Sequence, residues 1–543
     1  MPPATARPTA TLATHLVANQ PDMAGPLDPW ADDVALREQA ALRGADPAPL
    51  AALGRAMAEE DAFALGEDAR RVPPELRAFD RGGRRLDEVR FAPAYHGLMA
   101  MGLGAGYAAL PWAGAARGGH AAHAAMVYLM TQAEPGVCCP MTMTYAAVPA
   151  LRADPALAAL WGPRLAAAAY DPSLRPVGEK AAATMGMAMT EKQGGSDLRA
   201  NQTVAARDGD GWRLTGHKWF CSAPMSDGFL VLAQAPGGLS CFLLPRWLPD
   251  GTRNALRLVR LKEKLGNTAN ASAEVELEGA WAEPLGGAGD GVRTVLAMVH
   301  HTRLDTAMAP AGLMRAALRE ACRWCEGRSA FGRRLIDQPL MRVVLADLSL
   351  DREGALALGL RVAEAFDRNQ GPFARVAVAL AKFLANKRCV PVTAEAMEAL
   401  GGMGYVEDTP MPMLFREAPL NGIWEGSGNV ICLDVLRTLA RERGAAEALA
   451  AELDGARGLD RGYDAALEAH RARWGALPKE GEARLFAEGT ALLLQAAALL
   501  GSAPEVGAAF VRGRLTEGRG REAGAVRGLP IPLLLDRMGS RHT

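Results

Sequence analysis

The sequence predicts a mainly helical α+β protein in four successive parts: an N-terminal helical domain over 1–180, a central β-domain over 181–285, a helical bundle over 286–440 and a helical extension over 441–543. Three observations predict it. At 543 residues the chain exceeds the roughly 250–300 residues at which one core stops growing, so several domains are expected. Its texture changes twice, from helically spaced apolar residues to short alternating runs broken by turn residues, and back again. No G-x-G-x-x-G follows a strand in an alternating βαβ pattern, so a Rossmann arrangement is not supported and any dinucleotide must be held another way.

Each part has its own signature. From about 27 to 180, stretches such as LAALGRAMAEEDAFALGEDARRV and GGHAAHAAMVYLMTQAE carry charges at helical spacing, with Pro or Gly at intervals. Between about 184 and 280 come GWRLTGHKWFCSA, FLVLAQAPGGLSCFLLP and SAEVELEG. In the last of these Ala273, Val275 and Leu277 alternate with Glu274, Glu276 and Glu278, the period of a strand with one buried face. After GGAGDG (286–291) long helices return, and Leu345, Leu348, Ala355, Leu358, Val362 and Phe366 keep one face apolar. Four such helices would make a bundle, with faces on 345–400 available for subunit contacts. Beyond about 441, AAEALAAELDGA to RLFAEGTALLLQAAALL is again helical and ends in an Arg-rich tail, VRGRLTEGRGREAGAVRGLP.

Composition excludes more than it assigns. Lys+Arg (60) nearly cancels Asp+Glu (61), so global charge names no partner and a nucleic-acid-coating protein is not expected. The first twenty residues lack the apolar run of a secretory signal, and the apolar run Leu492 to Leu500 is too short to cross a bilayer. A cytoplasmic protein with no membrane association is expected. The eight cysteines show no repeated pair spacing and are expected to be reduced. Cys322 and Cys325 form a C-x-x-C on a helical stretch without a second pair or a His cluster, so no metal site is expected.

Four segments carry chemistry. In MAMTEKQGGSD (187–197), Gly194 and Gly195 let backbone N–H groups approach a polar ring or thioester; a plain Gly-rich turn is the alternative. GHKWFCS (216–222) reads as a strand with an aromatic and a hydroxyl residue two positions apart, and a strand with an inward Phe is the alternative. In AEAMEALGGMGYVEDTPMPMLFREAPLNGIWEGSGNVICLDVLR (394–437), Glu425 stands between Trp424 and Gly426. A carboxylate beside a bulky apolar ring has its pKa raised toward working pH, which suits a general base; a solvated loop Glu does not explain the flanking EGSGN. In GRSAFGRRLIDQPLMRVVLADL (327–348), Arg328 offers a planar fork suited to a diphosphate and Phe331 a flat stacking face.

Together these segments resemble the acyl-CoA dehydrogenase superfamily. RRLDEVRFAPAYHGLM (84–99), EPGVCCPMTMTYAA (134–147) and LKEKLGNTANAS (261–272) look like its alkylation-response, isovaleryl-CoA-dehydrogenase-like branch. The resemblance covers nearly the whole chain, least so the final hundred residues. It implies the acyl-CoA dehydrogenase fold, FAD as cofactor and an acyl-CoA substrate. In the first loop Thr190 would hydrogen-bond the flavin carbonyl edge, flanked by Met189 and Ser196. On the strand Phe220 would face the isoalloxazine and Ser222 would donate to flavin N5. Arg328 and Phe331 would serve the FAD phosphates and adenine side, while Gly401 and Gly402 would meet the pyrophosphate of a neighbouring subunit; a homotetramer is therefore implied. Trp424, Gly426, Ser427 and Asn429 would flank the cofactor around Glu425, the base. Gln338 falls one position early relative to the family glutamine, with Pro339 in its place. The family's alternative base position on the preceding helix is occupied here by Thr302, ahead of Arg303, which leaves Glu425.

The implied reaction is α,β-dehydrogenation of a short or branched acyl-CoA, with electrons passing to an electron-transfer flavoprotein or to oxygen. A second reading, also from the resemblance, is a DNA-associated protective flavoprotein of the alkylation response with vestigial dehydrogenase activity, binding duplex DNA through its C-terminal domain. Residues 438–543 carry 15 Lys+Arg against 14 Asp+Glu, net +1, whereas 511–543 carry 7 against 3, net +4. A solvated Arg-rich end accounts for the same count. An acyl-CoA oxidase ranks last, because its usual length and second helical domain differ.

Overall fold

Aspartates write the helix starts of the N-terminal third. In the computed structural model, which describes residues 9–23, 25, 27–113, 118–209, 211–516 and 520–539, Asp33, Asp46, Asp61 and Asp154 each accept a backbone N–H of the first turn that follows them. The helices so begun are α1 (Val34–Leu42), α2 (Pro47–Glu59), α3 (Ala62–Arg71) and, after three more, α7 (Pro155–Leu165). Between α3 and the helices α4 (Pro93–Gly104), α5 (Gly119–Ala133) and α6 (Pro135–Leu151), the chain makes an antiparallel hairpin, β1 (Glu75–Phe79) and β2 (Arg85–Arg90). This hairpin departs from the all-helical reading of 1–180. Its turn is shaped by Asp80, which accepts from Gly82 N and Arg84 N.

The central strands are β3 (Met185–Ala188), β4 (Val204–Asp208), β5 (Gly211–Ser222), β6 (Gly228–Ala235), β7 (Gly238–Pro245), β8 (Leu256–Leu261) and β9 (Ser272–Leu285). The sheet runs β3-β6-β4-β5-β9-β7, and a further β6–β7 pairing closes the ring into a barrel, with β8 on β9. Ala273, Val275 and Leu277 point into the barrel core with Phe229, Phe242 and Leu244, as the alternation in SAEVELEG demands. Glu274 is buried as well, held by Lys262 and Arg260 across the β8 side.

Helices then return as α8 (Gly291–Gly327), α9 (Pro339–Asp367), α10 (Gly371–Ala399), α11 (Met411–Glu417) and α12 (Gly428–Arg441), with a two-residue pairing of β10 (Ser329–Ala330) and β11 (Arg333–Arg334) after α8. The 37-residue α8 is the spine: it packs on α5 and α6 of the first part and on α9 and α10 of the bundle. Close approach to α5 requires Gly312, where a Cβ would stand 2.6 Å from the Tyr128 carbonyl oxygen. Four buried side chains tie the layers: Asp33 meets Arg315 of α8 at 3.0 Å, Arg352 of α9 at 3.5 Å and the Tyr128 hydroxyl at 2.7 Å.

The extension adds α13 (Arg443–Asp454), α14 (Arg461–Arg473), α15 (Ala483–Ser502), α16 (Pro504–Phe510) and α17 (Ile531–Asp536). The apolar run Leu492 to Leu500 is part of a longer helical stretch, Glu480–Ser502, which by length and composition could cross a membrane. The shorter span read from sequence is thus corrected. In the structure this stretch lies against α9, α10 and α12, with Leu493, Leu494 and Leu499 buried.

Candidate active site

The densest convergence of functional side chains surrounds a strained turn after α11. Glu425 has φ 58 and Gly426 φ 98, so a glutamate sits in the left-handed region that non-glycine residues rarely occupy. Donors from two bundle helices hold it there. From α8, Thr302 Oγ1 donates to Glu425 Oε2 at 2.7 Å and Arg303 Nε to the Glu425 carbonyl oxygen at 3.2 Å. From α10, Lys382 Nζ donates to the Gly426 carbonyl oxygen at 2.7 Å. Arg303 is fixed in turn by Asp434 of α12 at 2.7 Å, and Asp434 receives a two-pronged contact from Arg375. Thr302, the residue that displaces the alternative base position, is therefore the hydrogen-bond partner of Glu425.

Burial pushes the Glu425 carboxyl above its usual range, against the Thr302 hydroxyl and the positive charges of Lys382 and Arg303. Burial likewise pushes Lys382 down to about 7, opposed by the Glu425 charge. A carboxylate that is neither free in water nor neutralised by a close ion pair is what a proton acceptor requires.

Cys139 of α6 links this turn to the β-domain. Its thiol, raised to about 12 by burial, stands beside Ser222 and Asn270 and near enough to Glu425 and Lys264 to feel both charges. The Ser222 hydroxyl at the end of β5 has Ser272 Oγ at 3.3 Å. Lys264 reaches the Asn270 carbonyl oxygen at 2.6 Å and Ser272 Oγ at 3.2 Å. The Asn270 carboxamide is buried with neither its nitrogen nor its oxygen bonded to protein, so it is available to a bound group. Phe220, two residues before Ser222, is half exposed, with the Lys262 ammonium 4.9 Å from its ring centre.

The Thr190 loop lies beside that strand. Thr190 gives its carbonyl oxygen to Trp219 N at 2.8 Å, and Met189 gives its own to the Asn201 amide at 2.8 Å. Glu191 fixes the loop from below, accepting from Lys218 Nζ at 2.7 Å and from Thr203. Against desolvation, these bonds hold its carboxyl down at about 2. Gly195 sits where a Cβ would meet Thr190 Oγ1 at 2.7 Å, so the turn closes only without a side chain. Ser196 is exposed.

The other sequence-derived positions do not join this cluster within one chain. Arg328 ends α8, 26 residues beyond Thr302, or about 39 Å along the axis, and donates to the Asn19 carbonyl oxygen at 3.0 Å. Phe331 is 99% exposed with φ 52, and Gly401 and Gly402 face open space. Beside Glu425, Trp424 donates to Asn421 Oδ1 at 2.8 Å, and Ser427 caps α12 by position without a side-chain bond. Asn429 is occupied, since its carboxamide oxygen accepts from Arg484 of the extension at 2.9 Å. Sequence reasoning passed over Lys382, Cys139 and Asn270. Only Lys382 left a signal, a lone charge inside the apolar run VAVALAKFLA.

Two of the tail's arginines are engaged in internal ion pairs, while Arg521 and Arg527 are exposed. Arg514 pairs with Asp347 at 2.6 Å and Asp351 at 2.9 Å, and Arg537 with Glu353 at 2.9 Å and Glu38 at 2.6 Å. Arg512 donates to the Gly528 carbonyl oxygen. Arg519 and Arg541 lie outside the described residues.

Known protein families match three stretches of the chain. Residues 19–172 match the adaptive response protein AidB N-terminal domain, 186–280 the acyl-CoA dehydrogenase middle domain and 289–440 the acyl-CoA dehydrogenase C-terminal domain. AidB of Escherichia coli is 46% identical over 463 residues, 84% of this chain and 86% of that protein. The structure of Caenorhabditis elegans ACDH-11 in complex with C11-CoA superimposes with a TM-score of 0.80 at 27% identity, covering 96% of this chain and 92% of that one. Bd2924 in its apo-form gives 0.79 at 29% identity, covering 88% and 98%.

Proposed function

This chain belongs to the AidB-like branch of the acyl-CoA dehydrogenase family, and from that premise we propose that it α,β-dehydrogenates a short or branched acyl-CoA, with Glu425 as the base. Members of the family are FAD flavoproteins, and FAD is the cofactor. The residues present fit it. Phe220 and Ser222 offer an open strand face, and the buried Asn270 carboxamide lacks a hydrogen-bond partner in the chain. Bound there, FAD supplies the hydride acceptor.

The observations that carry the reading are Glu425, a buried carboxylate held in a left-handed turn by Thr302 at 2.7 Å with Arg303 and Lys382 bonded to the turn's backbone, and the Ser222 hydroxyl at the open end of β5. A thioester chain between Glu425 and Ser222 would present its α-proton to Glu425 Oε1 or Oε2, while the β-hydride leaves on the Ser222 side. Thr302 orients the carboxylate, and the Lys382 and Arg303 donors keep the turn from relaxing as the carboxyl gains its proton. Hydrogen bonds at the thioester oxygen would stabilise the developing enolate.

Exposure supports a homotetramer. Arg328, Phe331, Gly401 and Gly402 stand too far along the chain's own helices to serve the cofactor beside Glu425, and they lie open for a neighbour's. An electron-transfer flavoprotein or oxygen would reoxidise the flavin.

Anaerobic mixing of FAD-loaded protein with a panel of acyl-CoAs tests the proposal. Bleaching of the oxidised flavin by a short or branched member, lost in Glu425→Gln, is the expected result. No bleaching by any member overturns the activity, and undiminished bleaching in the variant overturns the base.

A further inference from the structure

Next to Cys139 and Ser222 lies a cavity of about 440 Å³, bordered by their sequence neighbours Pro140 and Ala223 and lined by residues of the β1–β2 hairpin, α4 and the segment 170–184. Its size is within the range of about 300–1,000 Å³ that small organic ligands occupy. We propose that this cavity is a second ligand site, separate from the acyl-CoA cleft, and that it takes a small aromatic anion: a flat ring system bearing a carboxylate or a phosphate.

The charge balance of the lining points to an anion. Every carboxylate on it is engaged by a cation of its own: Asp227 by Lys180 at 2.6 Å, Asp171 by Arg175 at 3.1 Å and Glu88 by Arg253 at 3.6 Å. Two guanidinium groups remain. Arg77 and Arg90, on adjacent strands of the hairpin, line the exposed mouth and make no ion pair among the described residues. Strand register places them on one face: Arg77 stands opposite Glu88, and Arg90 opposite Glu75 two residues before Arg77. The two planar forks are diagonal neighbours on that face, within reach of one carboxylate or phosphate.

The walls point to a ring. Phe91 and Tyr95 are stacked at 4.1 Å with 13° between their planes, and His96 and Tyr170 at 5.9 Å with 24°. His96 Nδ1 and the Tyr170 hydroxyl are 2.8 Å apart, so the second pair is held rigid, and burial keeps the imidazole pKa below its usual value. Flat, preordered walls lose little side-chain freedom when a flat ligand enters. Deeper in, Ser226 is 3% exposed and its buried hydroxyl has no hydrogen-bond partner among the described residues. A buried hydroxyl without a partner is uncommon in a folded chain, and here it borders a cavity. The same side of the molecule carries the hairpin that the all-helical reading of 1–180 had no place for.

The test is calorimetric titration of the full-length, FAD-loaded protein with 2-naphthoate and with its neutral counterpart 2-naphthylmethanol. The expected result is saturable binding of naphthoate, at least tenfold tighter than the neutral ring and weakened by added salt. Binding should fall at least tenfold in Arg77→Ala/Arg90→Ala and recover in part in Arg77→Lys/Arg90→Lys. It should be unchanged in Glu425→Gln and in the presence of excess coenzyme A. Both arginines are exposed, so the melting temperature of the alanine variant should match the wild type. Equal affinity for the neutral ring, indifference to the double substitution, displacement by coenzyme A or no binding of naphthoate would each overturn the proposal.

Discussion

Replacing Thr302 with valine keeps the shape of the side chain and removes the single hydroxyl that donates to Glu425 Oε2 at 2.7 Å. A hydrogen bond to a charged acceptor contributes about 1.5–3 kcal/mol, and about 1.4 kcal/mol corresponds to one pH unit in a titration. The bond stabilises the ionised carboxylate, so its loss favours the protonated form and moves the titration of Glu425 upward. Burial already pushes that group above its usual range. The acidic limb of the rate of flavin reduction should therefore move up by about one to two pH units, with a loss of about tenfold per unit at pH values below the limb. Above the displaced limb the rate should return to near the wild-type value. Anaerobic stopped-flow mixing across the pH range reads this directly. A limb that stays in place, moves down, or is replaced by a uniform loss at all pH values would refute the assignment of Thr302 as the group that tunes the base.

Further outcomes follow from other buried charges. Glu417 is fully buried and pushed up to about 7, so between about pH 4.5 and 7 the folded chain holds a proton that the unfolded chain has released. Its stabilising contribution is complete below that window and lost as pH rises through it; the melting temperature of the wild type relative to Glu417→Gln should fall from pH 5 to 8. For Lys382, pushed down to about 7 by burial, the sign is opposite, because the unfolded chain binds the extra proton between about pH 7 and 10.5. Thermal melts of wild type against Lys382→Met should shift in favour of the wild type over that range. Asp33→Ala leaves Arg315 and Arg352 buried without their shared carboxylate, and should cost about 3–5 kcal/mol in denaturant unfolding.

Much of the architecture was legible because its signals are local. The alternation of Ala273, Val275 and Leu277 with glutamates could only serve a strand with one wet face, and the barrel places all three inside. The apolar stripe from Leu345 to Val362 could only serve a long packed helix. The β1–β2 hairpin escaped because RLDEVR breaks alternation with charges at 85, 87, 88 and 90, one of which, Asp87, is buried with Val89 on the inward face. Around the candidate base, sequence singled out Glu425 and noted Thr302, but the bond between them crosses 123 residues. Cys139, Asn270 and Lys264 were silent for the same reason: each is an ordinary residue on its own element, and acquires its setting only when α6, the loop before β9 and the Glu425 turn meet.

The packing of the stretch Glu480–Ser502 against α9, α10 and α12 has a practical corollary. Residues beyond 441 form a separate domain by chain order, yet they roof the bundle. Proteolytic trimming or a shortened version ending near Arg441 would strip that roof, uncovering greasy faces on α9 and α10 at once. Such a fragment should be prone to aggregation, so the portion that carries the candidate site cannot be harvested by cutting at the apparent boundary.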